Sequence, residues 1–267
     1  MDDLEAKRRI AEVAYWYHRI EVLPGIVTPG SRDTQALLGM IELPADLSGL
    51  RVLDLGARDG FFSFEAERRG AREVVALDYV PPDKTGFQTA KDLRGSKVIS
   101  VTDSVYNLSP ERYGQFDLVL FLGLLYHLRH PLLALDRIWD ICSPDALVFI
   151  ESHVIDDGLV DNNGSFHSLA SLNPNLSGFA LAQFFPGQIL ANDPTSQWAP
   201  NQTCLRGFLD SAGFDVTHEW LLGSRGGATG RRRGLEPSGQ RSLDAASALD
   251  LDRGTVIEIS PLSPRLE

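Results

Sequence analysis

The chain has 267 residues, of which 43% are hydrophobic, and this is enough for one α/β domain with a sizeable core. Its net charge of −11 comes from 25 basic and 36 acidic residues and counts against a large polyanionic partner, although a local basic patch would still allow one. No stretch approaches the apolar length of a membrane span, the first residues are charged rather than signal-like, and the two cysteines lack metal-binding spacing, so we expect a cytoplasmic protein without a membrane partner.

Residues 1–46 are predicted to form a helical lid in front of the main domain. Apolar positions recur at helical spacing over residues 3–21, which indicates an amphipathic helix, and a short second helix is expected over residues 34–41. The first helix either packs onto the main domain or closes over a ligand, and in the second case Tyr17 contacts the acceptor. Because this helix could also serve in a dimer, a monomer and a homodimer both stay open.

Residues 51–78 have the layout of a nucleoside-binding βαβ unit. A buried strand is predicted over 51–55, a helix over 60–69 and a second strand over 73–78. The turn between the first strand and the helix contains glycines, which let a ligand approach the backbone. Its acids would repel the pyrophosphate of a dinucleotide, which disfavours a nicotinamide-dependent oxidoreductase. They suit a cationic ligand that carries a ribose, such as S-adenosylmethionine (SAM).

The following segments continue the alternation and predict a doubly wound, mostly parallel, seven-stranded Rossmann-like sheet within a domain over residues 47–267. The strand predicted over 116–122 has no polar alternation after Asp117, which is typical of the middle of a parallel sheet. Further helices are expected near 87–93 and over 131–142 and 203–212, and further strands over 98–101, 147–151, 214–222 and 255–260.

Two segments exceed this minimal α/β plan. Residues 156–202 are rich in Asn, Ser, Gly, Pro and aromatic residues, and an insertion of this length in a compact domain is usually functional. We expect it to form a cap over the acceptor, with contacts from His167, Phe185 and Trp198. Residues 224–253 are rich in Gly, Arg and Ser, and a flexible loop is predicted there.

The carboxyl ends of parallel strands meet at one edge of such a sheet, and ligands bind there, near the point where the strand order reverses. Gly56, Ala57 and Gly60 would let SAM approach the backbone, and Asp54 would lie near its cationic amino-acid end. Asp78, at the tip of the second strand, is predicted to bind the two ribose hydroxyls.

Three further cofactor contacts are expected at neighbouring strand ends, from Asp103, Ser104 and Gly123. Asp103 is suited to accept a hydrogen bond from the adenine amino group, but an acid in this position is also typical of a helix cap or an Asx-turn. No metal site is predicted, because the pair Asp156 and Asp157 is better explained as a solvated turn.

The segment from Gly123 to Pro131 has the pattern Gly-x-Leu-Tyr-His-x-Arg-x-Pro, with Tyr126, His127 and Arg129 as candidates to line the acceptor site. Together with the glycine turn and the pattern that begins at Trp198, it resembles the class I SAM-dependent methyltransferases. The likeness is to the catalytic domain of bacterial tRNA wobble-uridine carboxymethyltransferases and to their small-molecule relatives. The resemblance implies SAM as the cofactor and methyl transfer as the activity.

A small-molecule acceptor is the expected substrate, with a hydroxyl of a natural product, a lipid or a sugar-containing compound as the methylated group. The protein would position that hydroxyl and remove its proton, for which a histidine with a pKa near ~6.5 is suited. His127 or His153 is the expected base, with Tyr126 as a positioning group. The alternatives are a tRNA wobble-uridine methyltransferase, which would bind RNA through the Arg-rich segment, and a non-catalytic methyltransferase-like binding domain.

Overall fold

A computed structural model describes residues 2–32, 34–185, 190 and 193–234. No helix in these parts of the chain is long and apolar enough to cross a membrane. In chain order the helices and strands are α1 (Asp3–Glu12), β1 (Glu21–Leu23), β2 (Ile26–Val27), α2 (Gln35–Met40), β3 (Arg51–Leu55), α3 (Phe61–Arg68), β4 (Glu73–Asp78), α4 (Phe87–Arg94), β5 (Ile99–Thr102), α5 (Pro110–Tyr113), β6 (Phe116–Leu122), α6 (Pro131–Ile141), β7 (Cys142–His153), β8 (Gly158–Val160), β9 (Phe166–Ser168), α7 (Leu169–Leu172), β10 (Ala182–Phe184), β11 (Trp198–Pro200), α8 (Gln202–Ser211), β12 (Phe214–Leu222) and β13 (Arg225–Arg232).

Seven of these strands form one sheet in the order β12–β13–β7–β6–β3–β4–β5. Neighbouring strands pair in parallel, except that β13 is antiparallel to both β7 and β12. This arrangement confirms the predicted doubly wound, mostly parallel, Rossmann-like sheet. The strand order reverses between β3 and β6, so the carboxyl ends of these two strands frame the crevice in which such sheets bind their ligands.

Alternate residues of the central strands face opposite sides of the sheet and fill two hydrophobic cores. On β3, Val52 packs in the core that also receives α1, α3 and α4. Its neighbour Leu53 belongs to the other core, with α6 and α8. Because both faces of the sheet are covered, the central strands are mostly apolar, and this explains why β6 is apolar and buried at every position after Asp117.

The predicted cap segment contains two hairpins, β8–β9 and β10–β11, with the short helix α7 between them. A small apolar cluster of Ile155, Phe185 and Ala199 packs at its base. Strand β11 contacts both β7 and the 3₁₀ turn Leu125–His127. The segment therefore lies against the carboxyl ends of β6 and β7, where the acceptor site was expected.

The N-terminal helix is shorter than predicted, because α1 ends at Glu12 instead of continuing to residue 21. The next residues are non-helical, since the Asp59 carboxylate accepts hydrogen bonds from the backbone N–H groups of Tyr17 (2.6 Å) and His18 (3.0 Å). A helix would have used these two donors internally. Strands β1 and β2 then form a small hairpin.

The last strand pair also differs from the prediction. Residues 225–232, which were expected in the flexible loop 224–253, form β13 and insert between β7 and β12. The glycines that suggested flexibility allow close packing instead, since a Cβ at Gly227 would lie 2.5 Å from the Trp220 ring and 2.6 Å from the Ile150 carbonyl oxygen. The predicted strand over 255–260 and the rest of the loop lie outside the described residues.

Candidate active site

The turn after β3 requires glycine at two positions. Gly56 and Gly60 have positive φ angles of 73° and 92°, which side chains rarely adopt. The Gly56 N–H donates to the Leu77 carbonyl oxygen (2.8 Å) and fastens the turn to β4. A Cβ at Gly60 would lie 2.7–2.8 Å from ring atoms of Phe64 and Phe87. The turn therefore offers bare backbone at the point where the strand order reverses.

Asp78 at the tip of β4 faces this turn. Its Oδ2 accepts from the Arg58 N–H (3.0 Å) and its Oδ1 from the Val80 N–H (2.9 Å). Each oxygen uses one lone pair in these bonds, so the carboxylate is held in place and can still accept from two adjacent hydroxyls. Ala57 and Val80 line a small cavity beside it. This pair of acceptor oxygens fits the two hydroxyl donors of a ribose.

Asp54 is buried under the turn, with 2% of its surface exposed, and its Oδ2 accepts from the Ser63 hydroxyl (2.5 Å). Burial, together with the negative charge of Asp78, raises the pKa of Asp54 to about 7. The hydrogen bond from Ser63 acts in the opposite direction but is weaker than burial. A nearby cation would stabilise the ionised form of this carboxyl. Its chemistry therefore fits the cationic amino-acid end of SAM.

The contacts of Asp103 favour the structural alternative. Four donors surround its carboxylate, namely the N–H of Ser104 and the side chains of Asn107, Arg112 and Tyr113. The hydrogen bonds from Tyr113 and Asn107 lower the pKa of Asp103 despite its burial, and the four donors use its lone pairs. The expected bond to adenine is thus not supported. Ser104 caps the 3₁₀ turn Val105–Asn107 through its Oγ.

Three predicted catalytic side chains meet at the ends of β6 and β7. The Tyr126 ring lies 4.1 Å from the His127 ring and 4.9 Å from the His153 ring, centroid to centroid. Tyr126 is almost fully buried, whereas both histidines are half-buried. The sequence positions these groups together because Tyr126 and His127 occupy the 3₁₀ turn after β6, and His153 is the last residue of β7.

An ion pair lies under this cluster. The Arg225 guanidinium binds the Glu151 carboxylate through two nitrogens, with 2.7 Å between Nη2 and Oε2. A Cβ on Gly123 would lie within 4 Å of Glu151 Oε2, Arg225 Nη2 and the Tyr126 hydroxyl. Gly123, at this strand tip, has a φ of 72°, which favours glycine, and it lies in contact distance of all three groups.

Two polar residues of the cap, Thr195 and Asp193, lie beside His127. The Thr195 hydroxyl lies 2.8 Å from His127 Nδ1 and donates to the Asp193 carboxylate over 2.6 Å. From the same segment, the Gln197 N–H donates to the Tyr126 carbonyl oxygen (2.7 Å). The insertion is thus hydrogen-bonded to the turn that carries the candidate base.

The two histidines differ in their electrostatic surroundings. Burial, together with the positive charges of Arg225 and Arg32, lowers the pKa of His153 to about 4. Burial also lowers the pKa of His127, but there the negative charge of Asp193 acts in the opposite direction. His127 is therefore the histidine whose protonated form has an anionic neighbour.

Of the remaining residues predicted to contact the acceptor, Tyr17 lies near Tyr126 and Trp198 packs in the cap, whereas Arg129 and His167 are exposed. Tyr17 is close enough to Tyr126 to influence its ionisation, and Trp198 packs against Phe184 at 4.9 Å. Arg129 is exposed and forms no ion pair within the described part of the chain. His167 is exposed as well and binds Asp161 (2.9 Å).

Phe185 also departs from its predicted role, because its side chain is only 2% exposed. It packs with Ile155 and Ala199 in the cluster at the base of the cap. It therefore stabilises the cap and does not line the site. Within the described residues, no group of three or more His, Cys, Asp or Glu side chains is arranged to hold a metal ion.

Sequence analysis missed Asp59, Thr195 and Arg225. Asp59 carries a signal in the sequence, since an acid directly before a glycine turn needs partners, but the sequence does not show that these are the N–H groups of Tyr17, His18 and Gly86. Arg225 had none, because its segment had the composition of a loop. Thr195 depends on how the cap folds back, which no local pattern reveals.

Comparison with known proteins decides the family of the chain. The family described as "Methyltransferase domain" matches residues 31–219, which is more than half of the chain. The chain belongs to this family. The resemblance to class I SAM-dependent methyltransferases, inferred from the glycine turn and the Tyr-His segment, is confirmed.

The chain is 36% identical to the magnesium-protoporphyrin O-methyltransferase of Rhodobacter capsulatus over 102 residues, which cover 38% of this chain and 43% of that protein. It is 30% identical to the tRNA U34 carboxymethyltransferase of Campylobacter hominis over 111 residues, which cover 42% and 39%. The chain thus spans about two fifths of the length of these curated relatives. The N-terminal domain of EvdMO1, solved with SAH bound, shares the fold, with a TM-score of 0.59 and 22% identity over 87% of this chain and 98% of that domain.

Proposed function

We propose that this methyltransferase transfers a methyl group from SAM to a hydroxyl of a small-molecule acceptor, with His127 as the general base. The observation that carries the proposal is the cluster of Tyr126, His127 and His153 beside Gly123, under the cap. SAM supplies a methyl group on a cationic sulfur. In the proposal, the turn from Gly56 to Gly60, together with Asp54 and Asp78, holds the cofactor.

His127 is preferred over His153 because of the charges around the two rings. Arg225 opposes a proton on both rings, but Arg32 adds to this effect at His153, whereas Asp193 counteracts it at His127. In the transfer step the acceptor oxygen forms a bond to the methyl carbon, and the carbon–sulfur bond breaks with its electron pair left on sulfur. The hydroxyl proton passes to His127, and Tyr126 positions the acceptor.

The cap supports an acceptor with both apolar and hydrogen-bonding parts. Phe184 and Trp198 present aromatic surface, and Phe184 is half exposed. Trp198 Nε1 and Ser196 Oγ are buried without a hydrogen-bond partner among the described residues. Buried polar groups of this kind are normally satisfied by ordered water or by a ligand, and an acceptor that reached them would supply the hydrogen bonds. A natural product, a lipid or a sugar-containing compound has the required chemistry.

The tRNA U34 carboxymethyltransferase relatives suggest a second candidate, which needs the arginines of β13 and its end to bind RNA. Three of these four arginines have partners inside the fold, whereas Arg231 is exposed. Arg225 is ion-paired with Glu151, and Arg232 donates to the Cys142 carbonyl oxygen (2.9 Å). Arg233 is ion-paired with Asp215 and a second acid. Because Arg225, Arg232 and Arg233 are already bound to partners within the protein, they are less able to bind RNA, and this favours the small-molecule acceptor.

The test is an acceptor screen with SAM on hydroxylated aromatic, lipid and glycosylated compounds, in which release of S-adenosylhomocysteine is measured. His127→Gln should reduce kcat by about 10²–10⁴-fold, the usual contribution of a general base. His130→Gln is the matched control, because this neighbouring histidine is exposed. Methylation of tRNA alone would favour the second candidate. SAM binding without turnover on any acceptor would indicate a binding domain.

A further inference from the structure

The cap does more than cover the site, because it contributes a hydrogen-bonded chain that ends on the candidate base. We infer that Thr195 and Asp193 are positioning residues that fix the tautomer of His127, so that the base is competent only while the cap lies on the strand ends. This inference rests on the proposed function in one respect, namely the role of His127.

The direction of the hydrogen bonds follows from the chemistry of the three groups. An ionised carboxylate only accepts, so the single hydroxyl proton of Thr195 points to Asp193, at 2.6 Å. Toward His127 Nδ1, at 2.8 Å, the same hydroxyl oxygen must then accept. Neutral His127 therefore carries its proton on Nδ1, and the lone pair on Nε2 is left to take a proton from an acceptor.

Asp193 is suited to its place at the end of this chain. Burial opposes its ionisation, but the hydrogen bonds from the Thr195 hydroxyl and N–H outweigh burial and lower the pKa of Asp193. The titratable or charged groups that act on His127 and its neighbours are Tyr17, Arg32, Tyr126, Glu151, His153, Asp193 and Arg225. Glu151 is already neutralised by Arg225, so Asp193 is the anion that supports a protonated His127.

The chain also couples the base to the position of the cap. Thr195 is two residues from Gln197, whose N–H donates to the Tyr126 carbonyl oxygen and whose carbonyl oxygen accepts from the Phe185 N–H. The cap segment is therefore fastened to the 3₁₀ turn of the base at two points, the backbone of Tyr126 and the ring of His127. Withdrawal of the segment would break both contacts and release the imidazole to either tautomer.

The experiment compares Thr195→Val, which removes the hydroxyl at nearly constant shape, with Thr195→Ser, which keeps it. Thr203→Val on α8 is the matched control. The first measurement is the ¹⁵N chemical shift of the His127 ring at a pH where it is neutral. We expect the Nδ1–H tautomer in the wild type and in Thr195→Ser, and a shift toward Nε2–H in Thr195→Val.

The second measurement is turnover on the acceptor found in the screen. Thr195→Val should lower kcat by about 10- to 100-fold with little change in KM, because part of the contribution of the base is lost. Thr195→Ser should retain most of the activity, and Asp193→Asn should lower kcat and shift the pH profile of His127. A merely structural role would change KM and stability instead.

An Nε2–H tautomer in the wild type, or equal kcat values for the Val and Ser variants, would overturn the inference. The tautomer measurement needs no acceptor. If no hydroxyl compound is methylated while the tautomer changes as expected, the proposed reaction fails and the positioning chain stands. If His127→Gln is inactive while Thr195→Val has wild-type kcat and tautomer, the reaction stands and the positioning chain fails.

Discussion

The Arg225 guanidinium holds the Glu151 carboxylate in a two-point ion pair directly under Gly123, with 2.7 Å between Nη2 and Oε2. Glu151 is 1% exposed, and burial alone raises its pKa, which Arg225 opposes. Arg225→Met would leave this carboxyl buried without its cation. We expect a loss of about 3–5 kcal/mol in the free energy of unfolding, measured by urea denaturation at neutral pH.

The pH dependence of this loss provides a control. Without Arg225 the pKa of Glu151 in the folded state lies further above its unfolded value, so stability is lost as the pH rises through that range. At acidic pH the free energy of unfolding of Arg225→Met should approach that of the wild type. Adding Glu151→Gln to Arg225→Met should restore part of the lost stability. Arg206→Met breaks the exposed pair with Glu219 and should cost only about 0–1 kcal/mol. Equal losses at both sites would contradict the prediction.

Arg225 also shows why part of the site could not be predicted. The turn from Gly56 to Gly60 and the acid at Asp78 are local in sequence, so their arrangement follows from one βαβ unit. Arg225 and Glu151 are 74 positions apart and meet only because β13 inserts beside β7. A segment rich in glycine and arginine has no strand periodicity, and its fit depends on partners that the chain brings together only on folding.

Asp78 is the residue whose loss tests the cofactor site most directly. Its carboxylate is fixed by two backbone donors and is oriented to accept from a diol. Asp78→Ala should lower the affinity for SAM and S-adenosylhomocysteine by about 100-fold or more in calorimetric titration, because two charge-assisted hydrogen bonds are lost. Asp83→Ala, an exposed acid a few residues further on, should bind like the wild type. Unchanged affinity in Asp78→Ala would exclude the ribose contact.

From the raised pKa of Asp54 we expect SAM binding to depend on pH. Its pKa is about 7 in the protein, and a cation stabilises the ionised form. Binding should therefore strengthen as the pH rises from about 5.5 toward 7, by at most about tenfold per unit, and level off above the pKa of the free protein. Asp54→Asn should bind more weakly and without this slope. A slope that persists in Asp54→Asn would assign the titration to another group.

Hydrogen bonds to Asp59 anchor the N-terminal segment. This fully buried carboxylate accepts from the N–H groups of Tyr17 and His18 through Oδ2 and from the Gly86 N–H (3.1 Å) through Oδ1. It thus joins the segment that carries Tyr17 to the cofactor turn and to the start of α4. An asparagine offers one acceptor oxygen and places an NH₂ group against another donor, so one side of this junction must open.

We therefore expect Asp59→Asn to accelerate amide hydrogen exchange at Tyr17 and His18 or at Gly86, and to weaken SAM retention if residues 1–46 serve as a lid. Asp46→Asn is the matched control, because that exposed acid accepts only a local bond from the Ser48 N–H (2.8 Å). Unchanged exchange at all three amides would show that the packing of Trp16, which is 3% exposed, holds the segment without the carboxylate. Faster exchange with unchanged SAM binding would separate the anchoring role of Asp59 from any role of the segment over the cofactor.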